Sequence, residues 1–420
     1  MEFAEPVRCR SKNSEGDLVK ANGVVVIVGA GLAGIRTAEE LRRLGHTGRI
    51  VMLGAESLPP YDRPPLSKGA LAKDDATPPF LLEPEALAAL NVELQLSTEV
   101  VGVDTVAHTV ATAHGATVDY DVLVIATGAH PRLLGGAPVR EGLHVLRTFE
   151  DSKRIAADIR RGGRLVVIGG GFIGCEVVAT ARSMGTEVSM IEALSTPLQL
   201  PVGEFIGKYV ADLHRENGVD LHCDSLVTRL IGDEKLEGVE LSTGEVVEAA
   251  AVVVGLGVAP TIEWLKESGL HIDNGVRCDS SGRTSATDVF AVGDVAHWKS
   301  TTGREGRHEH WTSAIDQARV VAANILASGD DPLEHLHDLP YFWSDMYGLK
   351  LQALGWPGGS YETHVMHLGP NKDKLVVLYS DEDRFIGTVG ISAPRIVMST
   401  RTMLQTSTSI DEAKATLLSA

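Results

Sequence analysis

Two stretches of the chain carry residues able to hold the same chemical group. Gly29, Gly31 and Gly34 in VVVIVGAGLAGI, and Gly169, Gly171 and Gly174 in LVVIGGGFIGCE, both read Gly-x-Gly-x-x-Gly after a β-branched run. In that order the first glycine permits a tight turn and the second lets a pyrophosphate reach the backbone. The third lets helix and strand pack closely. The helix that follows directs unpaired N–H groups and its positive dipole end at the phosphates. An acid follows each copy: Glu56 lies 22 residues beyond Gly34, and Glu192 lies 18 beyond Gly174. Either can accept hydrogen bonds from a ribose. Glu192 would repel a 2′-phosphate, and the next residues, ALSTPLQL, offer no cation to welcome one. NADH is therefore expected in preference to NADPH.

Two cradles imply two dinucleotides. Two nicotinamide sites alone would give no redox chemistry, whereas one resident flavin and one exchanging nicotinamide would. The expectation is FAD in one cradle and NADH in the other. Ala126, Thr127 and Gly128, with Gly293 and Asp294 in TSATDVFAVGD, are what flavin-binding chains place around their cofactor. Asp294 can bond the ribityl chain and Gly293 permits close backbone approach. Their order around an inserted second unit puts FAD in the first cradle.

The elements that must position these residues are legible in outline. Val24 to Val28 reads as a strand buried on both faces, AGIRTAEELRRLG as a helix closing on Gly45, and Arg49 to Leu53 as the next strand. PPYDRPPLSKGAL is too rich in proline for regular structure and reads as a loop of fixed shape. Asp119 to Arg132 reads as a buried strand stopped by Gly128 and Pro131. The second unit runs from Leu165 to EVSMIEA, and Ala249 to Pro260 is its closing strand. TSAIDQARVVAANIL reads as a helix. After about residue 330 come short strands with glycine turns and two helix-like pieces.

Composition bounds the function. At 420 residues two to four domains are expected. The formal charge of −18 argues against a broad nucleic-acid footprint. Cys9, Cys175, Cys223 and Cys278 form no CxxC pair, so they read as reduced packing residues rather than disulfides or a zinc site. No metal is expected. Residues 1–22 read as a polar extension without the apolar core of a signal peptide. No run approaches the roughly 20 apolar residues of a membrane span, and the expected location is cytoplasmic.

YDRPPLSK, LVIATG, VVIGGGFIG, FAVGD and FWSD together make residues 23 to 420 resemble the FAD-dependent pyridine nucleotide reductases, and among them the ferredoxin reductase group. The resemblance implies an α/β fold with two Rossmann-like dinucleotide-binding domains, glutathione-reductase-like, plus a C-terminal α+β domain. It divides the chain into an FAD domain at 23–131 and 258–329, an NADH domain at 132–257, and a C-terminal domain at 330–420. It implies hydride transfer from NADH to FAD, then single electrons to an acidic [2Fe–2S] ferredoxin that feeds a cytochrome P450 or an aromatic-ring dioxygenase. Lys68 should then lie near the reactive flavin nitrogen, paired with Glu176. Arg63 and Arg147 should lie at the FAD phosphates or their surroundings, Trp311 at the flavin edge, and Ala33 and Val100 along FAD. Phe172, Ile173 and Gly257 belong with the NADH set. One departure stands out: Ala55 occupies a position where the group usually has an acid. DRPPLSKGAL holds no sulfur, so a dithiol relay beside the flavin is unavailable and electrons must leave from the flavin directly.

Arg319, by charge, and Trp343, by apolar contact, are candidates for docking the ferredoxin. GREGRHEH could extend that patch, its histidines facing solvent rather than a metal. Two other readings stay open. A flavin NADH oxidase or peroxidase would not respond to added ferredoxin. An NADH-sensing protein resembling apoptosis-inducing factor would reduce its flavin slowly and hold a long-lived charge-transfer complex.

Overall fold

The computed structural model describes residues 22–135, 140–328, 331–337, 339–369 and 371–419. All but the last residue of the expected N-terminal extension, Cys9 included, lies outside the described residues.

The strand Val25–Val28 is the centre of a five-stranded parallel sheet, ordered Val289–Ala291, Val122–Ile125, Val25–Val28, Ile50–Leu53, Glu93–Gln95. It is hydrogen-bonded on both edges and covered on both faces, so all four of its side chains are buried. That is why the run is purely β-branched: such side chains fit a pleated, two-sided core. Each contributes on the order of 1.5–3 kcal/mol of burial. Val28 pairs with both Leu53 and Ile125, so three strands end together at one edge, where the first glycine loop emerges.

The second unit repeats this plan. Its parallel sheet runs Asp220–His222, Val188–Ile191, Leu165–Ile168, Ala251–Val254, Leu143–Val145, and Ile168 pairs with Ile191 and Val254. A five-stranded antiparallel sheet follows, ordered Tyr341–Met346, Leu349–Gly355, Arg384–Ile391, Lys374–Asp381, Glu362–Leu368. The fold is thus α/β with two Rossmann-like domains and a C-terminal antiparallel domain. The first strand of that last sheet packs on helices Phe172–Ser183 and Trp311–Leu326, one from each of the two preceding α/β units.

Three local expectations are corrected. The proline-rich loop contains a 3-10 helix, Pro64–Ser67, and a helical turn, Gly69–Ala72. Prolines at the first helical positions cost nothing, because their missing N–H groups would have no helical partner. The segment Asp119 to Arg132 is not one strand: the buried strand Val122–Ile125 stops before Gly128, and a second short strand, Ala129–Pro131, ends at Pro131 and pairs antiparallel with Val258–Pro260 where the chain crosses between the two sheets. The C-terminal segment folds into three helices, Pro394–Ser399, Arg401–Gln405 and Ile410–Ser419, rather than two.

Candidate functional site

The two glycine loops are built alike, and each glycine has its own reason. Gly29 and Gly169 have φ of +116° and +103°, and a Cβ there would collide with a strand-end carbonyl, that of Ala126 or Gly255. A Cβ on Gly34 or Gly174 would collide with the carbonyl of Gly29 or Gly169. A Cβ on Gly31 or Gly171 meets nothing within 4 Å. The chain's own backbone therefore demands the first and third glycines. The second leaves open space at a helix N-terminus, which is what a pyrophosphate requires. Both loops fit a dinucleotide.

Around the first loop lies a cleft of about 920 Å³. Gly29, Gly31, Ala33, Glu56, Arg63, Lys68, Val100, Ala126, Thr127, Gly128, Arg147, Gly293, Asp294, Trp311 and Trp343 all line it, whereas Gly34 lies beneath. Its size suits an extended ligand. Gly293 donates its N–H to Gln317 Oε1 at 2.7 Å, which anchors the Gly293–Val295 turn to the helix Trp311–Leu326. Thr127 Oγ1 donates to the Thr261 carbonyl at 2.9 Å.

A charged network edges the cleft. Arg63 Nη2 reaches Glu56 Oε1 at 2.7 Å, and Arg63 Nη1 donates to the Arg147 carbonyl at 2.5 Å. Arg147 Nη2 reaches Asp294 Oδ2 at 3.0 Å. The Tyr61 hydroxyl donates to Glu56 and accepts from Phe149 N at 3.1 Å. Burial, against the pull of Arg63 and with the help of Glu56, pushes this phenol up to about 12, so it stays a neutral donor. The Glu56 carboxylate thus already holds Tyr61 and Arg63, and a ribose would share it. Ala55 is exposed beside it and offers no second acid.

Three further parts of the chain meet on one carboxylate that also lines the cleft. Glu176, on the second cradle's helix, accepts from Lys68 Nζ and Ser67 Oγ, each at 2.6 Å, on Oε2. Its Oε1 accepts from Ser344 Oγ at 2.7 Å and Asp345 N at 3.4 Å, both on the C-terminal sheet. The Glu176 side chain is 7% exposed and that of Lys68 23%. A buried carboxylate survives here because it is paired and fully hydrogen-bonded. Phe172 and Ile173, in the first turn of the same helix, also line the cleft. Phe172 packs on Phe342 at 4.9 Å between ring centroids, and Trp343 meets Trp311 at 5.9 Å and Tyr341 at 6.0 Å. Trp311 Nε1 donates to Asp62 at 2.8 Å. Among the described residues no cysteine lines the cleft. Cys175 and Cys278 are buried, and burial pushes both thiols well above their usual range.

The rest of the second cradle stands outside this cleft. Gly169, Gly171, Gly174, Glu192 and Gly257 are not among its lining. Glu192 holds its own loop: Gly170 N donates to Oε2 at 2.5 Å and Leu194 N to Oε1 at 2.8 Å. Gly257 accepts from Arg132 N at 2.9 Å at the crossing between sheets. Arg319 is 60% exposed, with Nε 3.7 Å from Glu40, and it too lies outside the cleft.

The reading of GREGRHEH is corrected. His308 is buried against Trp356, and His310 stacks on Phe342 at 4.8 Å and lines the cleft. Burial pushes both down to about 4, so neither is a surface cation near neutrality. Arg307 is ion-paired with Glu309 at 2.7 Å and only 7% exposed, so it cannot form part of a surface patch. Sequence reasoning also missed Tyr61, Ser67, Trp264, Phe342 and Ser344. Tyr61 and Ser67 flank recognised residues in YDRPPLSK, but their contacts, like those of the other three, are made across the fold and leave no spacing signal.

A profile of the pyridine nucleotide-disulphide oxidoreductase family matches residues 23–318, and a reductase C-terminal profile matches residues 341–417. The ferredoxin–NAD(+) reductase component of the anthranilate 1,2-dioxygenase system of Burkholderia cepacia is 38% identical, over 90% of this chain and 93% of that protein. Putidaredoxin reductase of Pseudomonas putida is 34% identical, over 90% of each. The crystal structure of a covalent putidaredoxin reductase–putidaredoxin complex matches with a TM-score of 0.84 and 32% identity, covering 92% of this chain and 94% of that one.

Proposed function

Because this chain belongs to the pyridine nucleotide-disulphide oxidoreductase family, we propose that it is an NADH-dependent ferredoxin reductase with FAD resident in the first cradle. One observation carries the reading: the N-terminal end of the second cradle's helix, through Phe172, Ile173 and Glu176, lines the cleft built around the first glycine loop. A dinucleotide on each loop would then bring its reactive ring to the same place. Bound there, FAD supplies acceptance of two electrons as hydride and their release one at a time.

The chain's own residues do the positioning. The two glycine loops hold the pyrophosphates, and Arg63 and Arg147 border the first of them. Lys68, fixed by Glu176, brings an ammonium to the cleft and favours negative charge on the ring beside it. Trp311, Trp343 and Phe172 exclude water, and orienting the two rings supplies most of the rate. Glu192 selects the free ribose hydroxyl of NADH over a 2′-phosphate. The acceptor we propose is an acidic [2Fe–2S] ferredoxin serving a cytochrome P450 or a ring-hydroxylating dioxygenase, with Arg319 and Trp343 at its docking face. Among the described residues no helix is long and apolar enough to cross a membrane. Buried free thiols at Cys175 and Cys278 suit the reducing cytoplasm, where we place the reaction.

Anaerobic stopped-flow reduction by NADH and by NADPH, followed by cytochrome c reduction through a panel of ferredoxins, tests this reading. Rapid bleaching by NADH and many-fold stimulation by one acidic [2Fe–2S] ferredoxin are expected. A protein that takes up no flavin, or turnover indifferent to every ferredoxin, overturns it.

A further inference from the structure

One aromatic side chain that lines the cleft, Trp264, takes no part in the networks described above. Trp264 lies in a 3-10 turn, Glu263–Leu265, that packs against the strand Val100–Asp104. Its side chain is half-buried and lines the cleft with Thr98, Val100 and Val101. Its indole Nε1 is buried and has no hydrogen-bond partner. An unsatisfied buried N–H costs stability and calls for an explanation. No hydrogen bond orients this ring, so what its face meets must justify the cost.

The location says what that could be. Ser97 N donates to the Glu56 carbonyl at 3.0 Å and Thr98 N to the Gly54 carbonyl at 2.8 Å. Residues 98–101 therefore border the acid that follows the second strand. In a strand–glycine–helix cradle the phosphates lie at the glycines and the nucleoside extends toward that acid. Trp264 borders the nucleoside end, whereas Lys68 and Glu176 gather around the second cradle's helix.

We propose that the Trp264 indole is the stacking platform for the adenine of the bound dinucleotide, so that it recognises the adenylate half and not the flavin ring. This rests on FAD occupying the first cradle. Indole faces stack on bases because both are large, flat and polarisable, and the gain does not need a hydrogen bond. A purely structural indole would only pad the core beneath it, and would be indifferent to which half of the ligand is present.

FMN separates the two, because it carries the flavin and lacks the adenylate. Apoprotein of the full chain is titrated with FAD, with FMN and with AMP, for wild type, Trp264→Leu and Trp264→Phe. Trp264→Leu should bind FAD about 10-fold more weakly, with FMN affinity unchanged, and Trp264→Phe should stay within about 3-fold of wild type. AMP should quench tryptophan emission in wild type and not in Trp264→Phe, which answers the question even if the leucine variant fails to fold. Equal weakening of FAD and FMN, unchanged FAD affinity in Trp264→Leu, or quenching that persists in Trp264→Phe would overturn the assignment. Wild-type apoprotein that binds AMP but neither flavin would instead remove the reading on which it rests.

Discussion

The two glycine loops are close copies in backbone and differ in what surrounds them. Gly29 and Gly169 share a positive φ, Gly34 and Gly174 share a backbone collision, and Gly31 and Gly171 share an open space. The first loop, however, sits in a cleft walled by residues from across the chain, Arg63, Arg147, Trp264, Asp294 and Trp311 among them. The second contributes only the N-terminal end of its helix to that cleft and keeps its acid bound to its own loop, at Gly170 and Leu194. The difference teaches that a cradle sets what can bind, and its enclosure sets how long it stays. A ligand walled in by distant elements leaves only when they move apart, a constraint that this cleft does not place on a ligand at the second loop.

The sharpest way to break this comparison is to fill the two open spaces in turn. Gly31→Val should fold but purify with almost no flavin, read from the 450 nm to 280 nm absorbance ratio. Gly171→Val should keep its colour and lose at least about 100-fold in kcat/KM for NADH, since only the ligand meets the new side chain. If both variants lose flavin equally, the loops are not functionally distinct.

Next in size is the bridge between the two halves. Lys68→Met leaves the Glu176 carboxylate buried without its cation, which costs about 3–5 kcal/mol where burial is complete. With Lys68 partly exposed and both serine hydroxyls still in place, a loss of roughly 2–3 kcal/mol in urea unfolding is expected. An unchanged midpoint would mean that the pair does not tie the halves together.

The C-terminal domain contacts both halves through buried histidines, His308 against Trp356 among them, and acid tests these contacts. His214, from the second unit, contacts the Tyr347 hydroxyl at 2.8 Å, and His310, from the first, stacks on Phe342. Burial pushes each down to about 4. Between about 4 and the ordinary 6.5 the unfolded chain binds protons that the folded one refuses. Stability is therefore full above about 6.5 and falls as pH drops toward 4, by about 1.4 kcal/mol per pH unit for each histidine. Thermal melts from pH 7 to pH 4.5 should show this slope, and His310→Gln should flatten part of it.

The smallest effect should come from Glu192→Gln. It leaves the loop amides an acceptor but removes the charge that opposes a 2′-phosphate. The NADH-to-NADPH ratio of kcat/KM should fall about 5-fold, roughly 1 kcal/mol, with flavin content unchanged. A ratio that stays put would mean that Glu192 serves its own loop and nothing else.

The primary structure by itself determined both cradles, because a tight turn and a close helix–strand approach each tolerate one residue type at fixed spacing. It determined the buried parallel strands too, since a four-residue β-branched run has few other stable homes. YDRPPLSK was legible as a site but not in its conformation: proline excludes a helix interior, yet suits the first turn of a 3-10 helix. GREGRHEH was misread for the opposite reason. Its polar composition suggested solvent, but Trp356 and Phe342 lie some 50 and 30 residues away in sequence, and only folding carries them onto His308 and His310. Tertiary structure alone decided which groups surround Glu176, that Arg307 is spent on Glu309, and that Trp264 reaches the cleft. The contacts on Glu176 join segments up to 168 residues apart, and Arg307, though its pairing with Glu309 is local, is buried only because distant elements close over it. Local propensity constrains each segment's shape, but a contact across that distance depends on how separate elements pack, which no short-range pattern encodes.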